Sequence, residues 1–96
     1  MVDDLARIHI WVTGRVQGVG FRAFVASSAR FIGVTGWVRN MGYEMMEAVA
    51  EGTRQQVEQF IRVVKTGPGA SRVDEGRVEE ETPSGEFVDF EIRSSR

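Results

Sequence analysis

The order in which hydrophobic periodicity changes along the chain is its strongest constraint. Arg7-Ile8-His9-Ile10-Trp11-Val12-Thr13 alternates apolar with polar or aromatic positions and is β-branched. It predicts a strand with Ile8, Ile10 and Val12 on one face and His9 and Trp11 on the other. A glycine-rich connection follows. Phe21, Phe24, Val25, Ser28, Ala29 and Ile32 then recur at helical spacing, and Gly33 stands where a helix C-cap belongs. Val34–Asn40 reads as a second strand with Val34 and Val38 inward. Met41-Gly42-Tyr43-Glu44 turns the chain into a third strand, Met45–Glu51, where Met46, Ala48 and Ala50 alternate with Glu47, Val49 and Glu51. Thr53-Arg54-Gln55-Gln56 has the form of a capping box. Val57, Phe60, Ile61 and Val64 make an apolar stripe that Gly67-Pro68-Gly69 ends. Val73–Glu81 and Phe87–Arg93 are two further strand candidates, separated by Pro83-Ser84-Gly85.

The order β-α-β-β-α-β, with one strand to spare, is that of a split βαβ unit. The expected class is α+β and ferredoxin-like: an antiparallel sheet of four to five strands with two helices on one face. No linker or repeat divides the chain, so residues 1–96 are expected to form one domain.

Composition narrows the chemistry. The 96 residues include no cysteine and one histidine. Thiol catalysis, disulfides, Cys-ligated zinc and His pairs are therefore excluded. No apolar run approaches the roughly 20 residues that cross a bilayer. Met1-Val2-Asp3-Asp4 is acidic and lacks a signal-peptide layout. The expectation is a cytoplasmic monomer without membrane association.

Charge is unevenly placed. Arg7, Arg15, Arg22, Arg30 and Arg39 lie in a stretch, Leu5 to Tyr43, that contains no Asp or Glu, while the whole chain has a formal net charge of −2. A local cationic field focuses anions. Arginine also offers a planar donor fork suited to phosphate or carboxylate.

Topology brings particular residues of this stretch together. Gly14-Arg15-Val16-Gln17-Gly18-Val19-Gly20 leaves the first strand and opens the first helix. In a split βαβ unit the first two strands run the same way, so Asn40, at the end of the second, shares a sheet edge with that loop. One intervening strand would separate them by roughly 10 Å, room for a phosphate. Arg22, in the first helical turn, has the reach to meet it. Consecutive N–H groups of a glycine-rich turn converge into an anion cradle, and a helix N-terminus adds its dipole. The same glycines would equally serve a tight strand-to-helix connection, and spacing alone does not choose. The loop is neither a Walker sequence nor the dinucleotide fingerprint.

Gly14-Arg15-Val16-Gln17-Gly18-Val19-Gly20-Phe21-Arg22 resembles the acylphosphatase signature Gly-x-Val-Gln-Gly-Val-x-Phe-Arg. Gly36-Trp37-Val38-Arg39-Asn40 resembles the second signature of that family, Gly-Trp-Val-x-Asn. The resemblance extends through Ala50-Glu51-Gly52, Gly67-Pro68 and Phe90-Glu91-Ile92-Arg93. It implies hydrolysis of acyl phosphates without metal or cofactor. It further implies that Arg15, Val16, Gln17, Gly18, Val19, Gly20 and Phe21 hold the phosphate through backbone amides. Arg22 would bind it by side chain, and Asn40 would orient the attacking water. Tyr43-Glu44 replaces the family's Asp-Gly turn, so Gly42 is expected to take the positive-φ position.

This reaction suits a chain poor in catalytic groups. The leaving group of an acyl phosphate is a stable carboxylate, which needs no general acid. Positioning and charge stabilisation remain. A non-catalytic phosphate-binding module, like related domains of carbamoyl-phosphate-handling proteins, is the alternative. A nucleic-acid module of the same topology is a third reading. The net acidic chain and the missing aromatic RNP pattern argue against nucleic acid as a partner. His9 is expected on the sheet surface away from the site, Trp11 and Trp37 on the sheet's free face, Met46 in the core, and Glu79-Glu80-Glu81 on a solvated edge strand.

Overall fold

The structure, a computed structural model, describes residues 5–18 and 20–96. Its elements are β1 (Leu5–Arg15), α1 (Phe21–Ile32), β2 (Thr35–Met41), β3 (Met45–Thr53), α2 (Arg54–Thr66), β4 (Arg72–Glu81) and β5 (Phe90–Ile92). The strands form one sheet in the order β4-β1-β3-β2-β5. Both helices pack on one face, giving the ferredoxin-like arrangement.

The sheet is mixed, not purely antiparallel as expected. β1–β3, β1–β4 and β2–β3 are antiparallel, but β2 and β5 run parallel. The reason lies in the crossing. β4 ends at the sheet end near Glu51, and the chain crosses that end to the far edge. It therefore enters β5 running opposite to β4, which is the direction of β2. Glu51 pins the crossing by accepting hydrogen bonds from the Ser84 and Gly85 N–H groups, at 2.9 and 3.0 Å. β5 is also shorter than the expected Phe87–Arg93. Val88 is fully exposed, and regular pairing starts at Phe90, opposite Gly36.

The caps follow the sequence. Thr53 and Gln56 form the reciprocal capping box, and the Gly33 N–H closes α1 on the Ala29 carbonyl with left-handed geometry. Gly42 has φ +64, so it takes the positive-φ place in the β2–β3 turn. Ile8, Ile10, Val12, Val38, Met46, Ala48 and Ala50 face the helices and meet Val25, Ala29, Val57, Phe60 and Val64 in one buried core. Phe90 reaches the same core from β5, its ring centroid 5.6 Å from that of Phe60.

The opposite face carries a charged network. His9 lies there, with Nε2 2.8 Å from Glu47 and Nδ1 3.2 Å from Glu81, and its ring stacks on Trp11 at 3.8 Å. Glu47 also accepts from Arg39. Arg7 donates to Glu51, Glu81 and Glu86. Trp37 is buried on this face, with the Arg39 and Arg93 guanidinium groups each 4.9 Å from its ring. Glu79 and Glu80 are exposed, but Glu81 corrects the expectation of a solvated carboxylate run. It is half-buried because Arg7 and His9, its cross-strand neighbours on β1, draw it over the sheet.

Candidate active site

The loop leaving β1 and the end of β2 meet at one sheet edge, with β3 between their strands. A cleft of about 290 Å³ opens there, lined by Val16, Gln17, Gly18, Phe21, Arg22 and Asn40 among others. Gly20 also lines it. Arg15 stands just outside, at the mouth of a neighbouring depression. Val19 lies outside the described residues.

Each part of the cleft has a local cause. Gly18 and Gly20 both have φ +73, the left-handed region that glycine adopts without a Cβ penalty. Gly20 is the N-cap of α1 and supplies no side-chain acceptor, and the first helical turn holds no acid. The first N–H groups of α1 lack intrahelical partners and favour an anion at that end. Val16 and Phe21, each about 1% exposed, anchor the two ends of the loop in the core.

Asn40 follows Val38 by two residues in β2 and so points to the helix side, opposite Met46 of β3. Its residue is 8% exposed. Among the described residues its side-chain Oδ1 is buried without a hydrogen-bond partner. A buried acceptor left open costs desolvation energy, about 1–3 kcal/mol, unless something fills it. Its backbone carbonyl accepts from the Arg96 N–H at 2.9 Å, which fixes the strand end.

The arginines of the acid-free stretch divide sharply. Arg7 pairs with Glu51, Glu81 and Glu86, Arg39 with Glu47, and Arg30 with Asp89. Among the described residues Arg15 and Arg22 pair with no carboxylate. The cationic stretch is therefore not a diffuse field. Its uncommitted charge sits at the loop. On the opposite face, burial works against the charge of Glu47, yet the hydrogen bonds from His9 and Arg39 outweigh it and hold its carboxyl below the usual range.

Two contributors were not assigned these roles from sequence. The Gln17 side chain donates to the Gly42 carbonyl at 2.6 Å and brackets the loop against the β2–β3 turn. Ile92, from β5, walls the cleft beside Asn40. Both depend on neighbours distant in sequence, and no local pattern signals them.

The acylphosphatase family model matches residues 8–92. The chain belongs to the acylphosphatase family. An acylphosphatase of Syntrophotalea carbinolica is 48% identical over 91% of this chain and 95% of that protein. The solved acylphosphatase of Coxiella burnetii superposes with a TM-score of 0.89 at 33% identity, covering 94% of each chain. Full-length HypF in its phosphate- and nucleotide-bound form matches with a TM-score of 0.87 and 35% identity, over 99% of this chain and 13% of that one. The chain is thus an enzyme of acyl-phosphate hydrolysis. No helix among the described residues is long and apolar enough to cross a membrane.

Proposed function

We propose that the cleft binds the phosphate of an acyl phosphate through the backbone amides of Arg15–Phe21 and the Arg22 guanidinium, while Asn40 orients the attacking water. The observation that carries this reading is the buried Oδ1 of Asn40, without a partner among the described residues, in a cleft also lined by Arg22, which pairs with no carboxylate among them. A water bound to Oδ1 would satisfy that acceptor and direct its lone pair at phosphorus. The amide is neutral and takes no proton. A phosphate oxygen of the substrate receives it as the P–O bond to water forms and the bond to the acyl oxygen breaks. Three equatorial oxygens carry charge in the transition state, and Arg22 and the loop amides are donors suited to them. Arginine's bidentate fork serves this better than a point charge.

The reading takes residues 1–96 as one domain that works as a cytoplasmic monomer. Hydrolysis of benzoyl phosphate by the wild type and by Arg22→Ala tests it. The variant should lose turnover by about 10²–10³, together with its affinity for inorganic phosphate. Phosphate binding by a wild type without turnover would favour the regulatory-module reading. Wild-type turnover in Arg22→Ala would refute the assignment.

A further inference from the structure

A shallow trough leaves the cleft on the side away from Asn40. The depression next to the cleft, about 300 Å³, shares Val16 and Gln17 with it and is bounded by Tyr43 and Arg15. It continues into a second, about 360 Å³, over Thr13 and Gly14, and a third, about 300 Å³, reaching Trp11. The floor is low for a structural reason. β4 carries an extra residue, Asp74, opposite the Thr13–Gly14 step of β1, and Thr13 and Gly14 are both small. Thr13 stands between Met45 of β3 and Glu75 of β4, both larger. Thr13 and Trp11 alternate with the buried Val12 and Ile10, which puts this floor on the face away from the helices.

The direction follows from the reaction. In-line displacement places the leaving group opposite the attacking water. Asn40 ends β2, and Gly14 and Arg15 end β1, two strands across the sheet. With water on the Asn40 side of the phosphate, the acyl oxygen lies on the β1 side, and its chain must round the sheet end past Val16 and Gln17, which line both the cleft and the first depression, to reach the face away from the helices. Tyr43, 93% exposed, stands at its entrance.

From this we infer that the trough is an acyl-group subsite, selecting acyl phosphates with an extended, uncharged acyl chain. The inference rests on the Asn40 reading above. Trp11, Met45 and Tyr43 supply apolar surface along it. Beyond Arg15, which stands at the phosphate end, the charged groups on its walls do not favour a second anion. Arg72 is held by Asp74, and Arg77 by Glu79 and the Trp11 ring. Glu44 and Glu75 pair with no cation among the described residues and face any chain lying in the trough.

The test compares kcat/KM for acetyl, hexanoyl and succinyl phosphate in the wild type, Thr13→Phe and Tyr43→Ser. Thr13→Phe fills the floor with a residue that strands accept. The wild type should favour hexanoyl over acetyl phosphate by about tenfold, the gain expected from partial burial of the added methylenes. Succinyl phosphate should show no such gain. Both variants should keep wild-type acetyl phosphate turnover and lose most of the hexanoyl preference. Equal kcat/KM for acetyl and hexanoyl phosphate in the wild type would overturn the subsite, as would a preference unchanged in both variants or an equal gain for succinyl phosphate. Calorimetric binding of acetyl- and hexanoylphosphonate separates the two readings. Tighter binding of the longer phosphonate, lost in Thr13→Phe, supports the subsite even where turnover fails, and equal binding refutes it.

Discussion

Gln17 donates its side-chain amide to the Gly42 carbonyl at 2.6 Å, tying the loop after β1 to the turn between β2 and β3. Gly42 in turn donates its N–H to the Arg96 carbonyl at 3.2 Å, and the Arg96 N–H donates to Asn40. The loop, the turn and the strand end that carries Asn40 are thus coupled by one short chain of hydrogen bonds. Breaking the Gln17 link frees the loop to shift relative to Asn40.

Replacing Gln17 by Ala should therefore impair catalysis more than stability. One exposed hydrogen bond contributes only about 1 kcal/mol to folding. Misplacing the phosphate relative to Asn40 should lower kcat/KM by about tenfold or more. Steady-state kinetics beside a urea titration separates the two effects.

Gly36 shows why glycine stands at that place in β2. Its φ is +145, and a Cβ there would collide with the Val49 carbonyl of the neighbouring strand. Gly36→Ala should cost at least about 2 kcal/mol, because backbone, not a flexible side chain, would have to move. Chemical denaturation measures it. The midpoint should fall with the slope unchanged.

Stability should fall on the acid side. Glu47, Glu51 and Glu81 all suffer desolvation, but hydrogen bonds from His9, Arg39, Arg7, Ser84 and Gly85 outweigh it and lower each carboxyl below its ordinary range. A carboxyl lowered in the folded state binds its proton more readily when unfolded. Its contribution is complete above the unfolded value, about 4.3, and is lost as pH falls through the folded value. Unfolding free energy measured from pH 6 to pH 3 should decline, with most of the loss below about pH 4.3. Glu51→Gln should start lower and decline less steeply.

Much of this was legible in the chain because it is local. The alternation in Arg7–Thr13, the stripe of α2 and the Thr53–Gln56 box each lie within a few residues, and topology then places Asn40 beside the glycine-rich loop. What was not legible is set across strands. Glu47 alternates in β3 like a solvent-facing residue, yet it is 3% exposed because His9 and Arg39 close over it from neighbouring strands. Glu81 reads as part of an acidic run until Arg7 faces it. The parallel pairing of β5 depends on which sheet end the chain crosses, and no residue between Glu81 and Phe90 encodes that locally. The Gln17 bracket needs Gly42 in place, so its side chain looked like one more loop residue.

The most direct test of the account is the effect of Asn40→Ala on benzoyl phosphate hydrolysis, with kcat, KM and inhibition by inorganic phosphate measured in one series and folding checked by thermal denaturation. The account predicts a folded protein whose kcat falls by about 10²–10³, while KM and phosphate inhibition stay close to wild type, because the loop and Arg22 still hold the anion. A folded Asn40→Ala variant that retains wild-type kcat would contradict it.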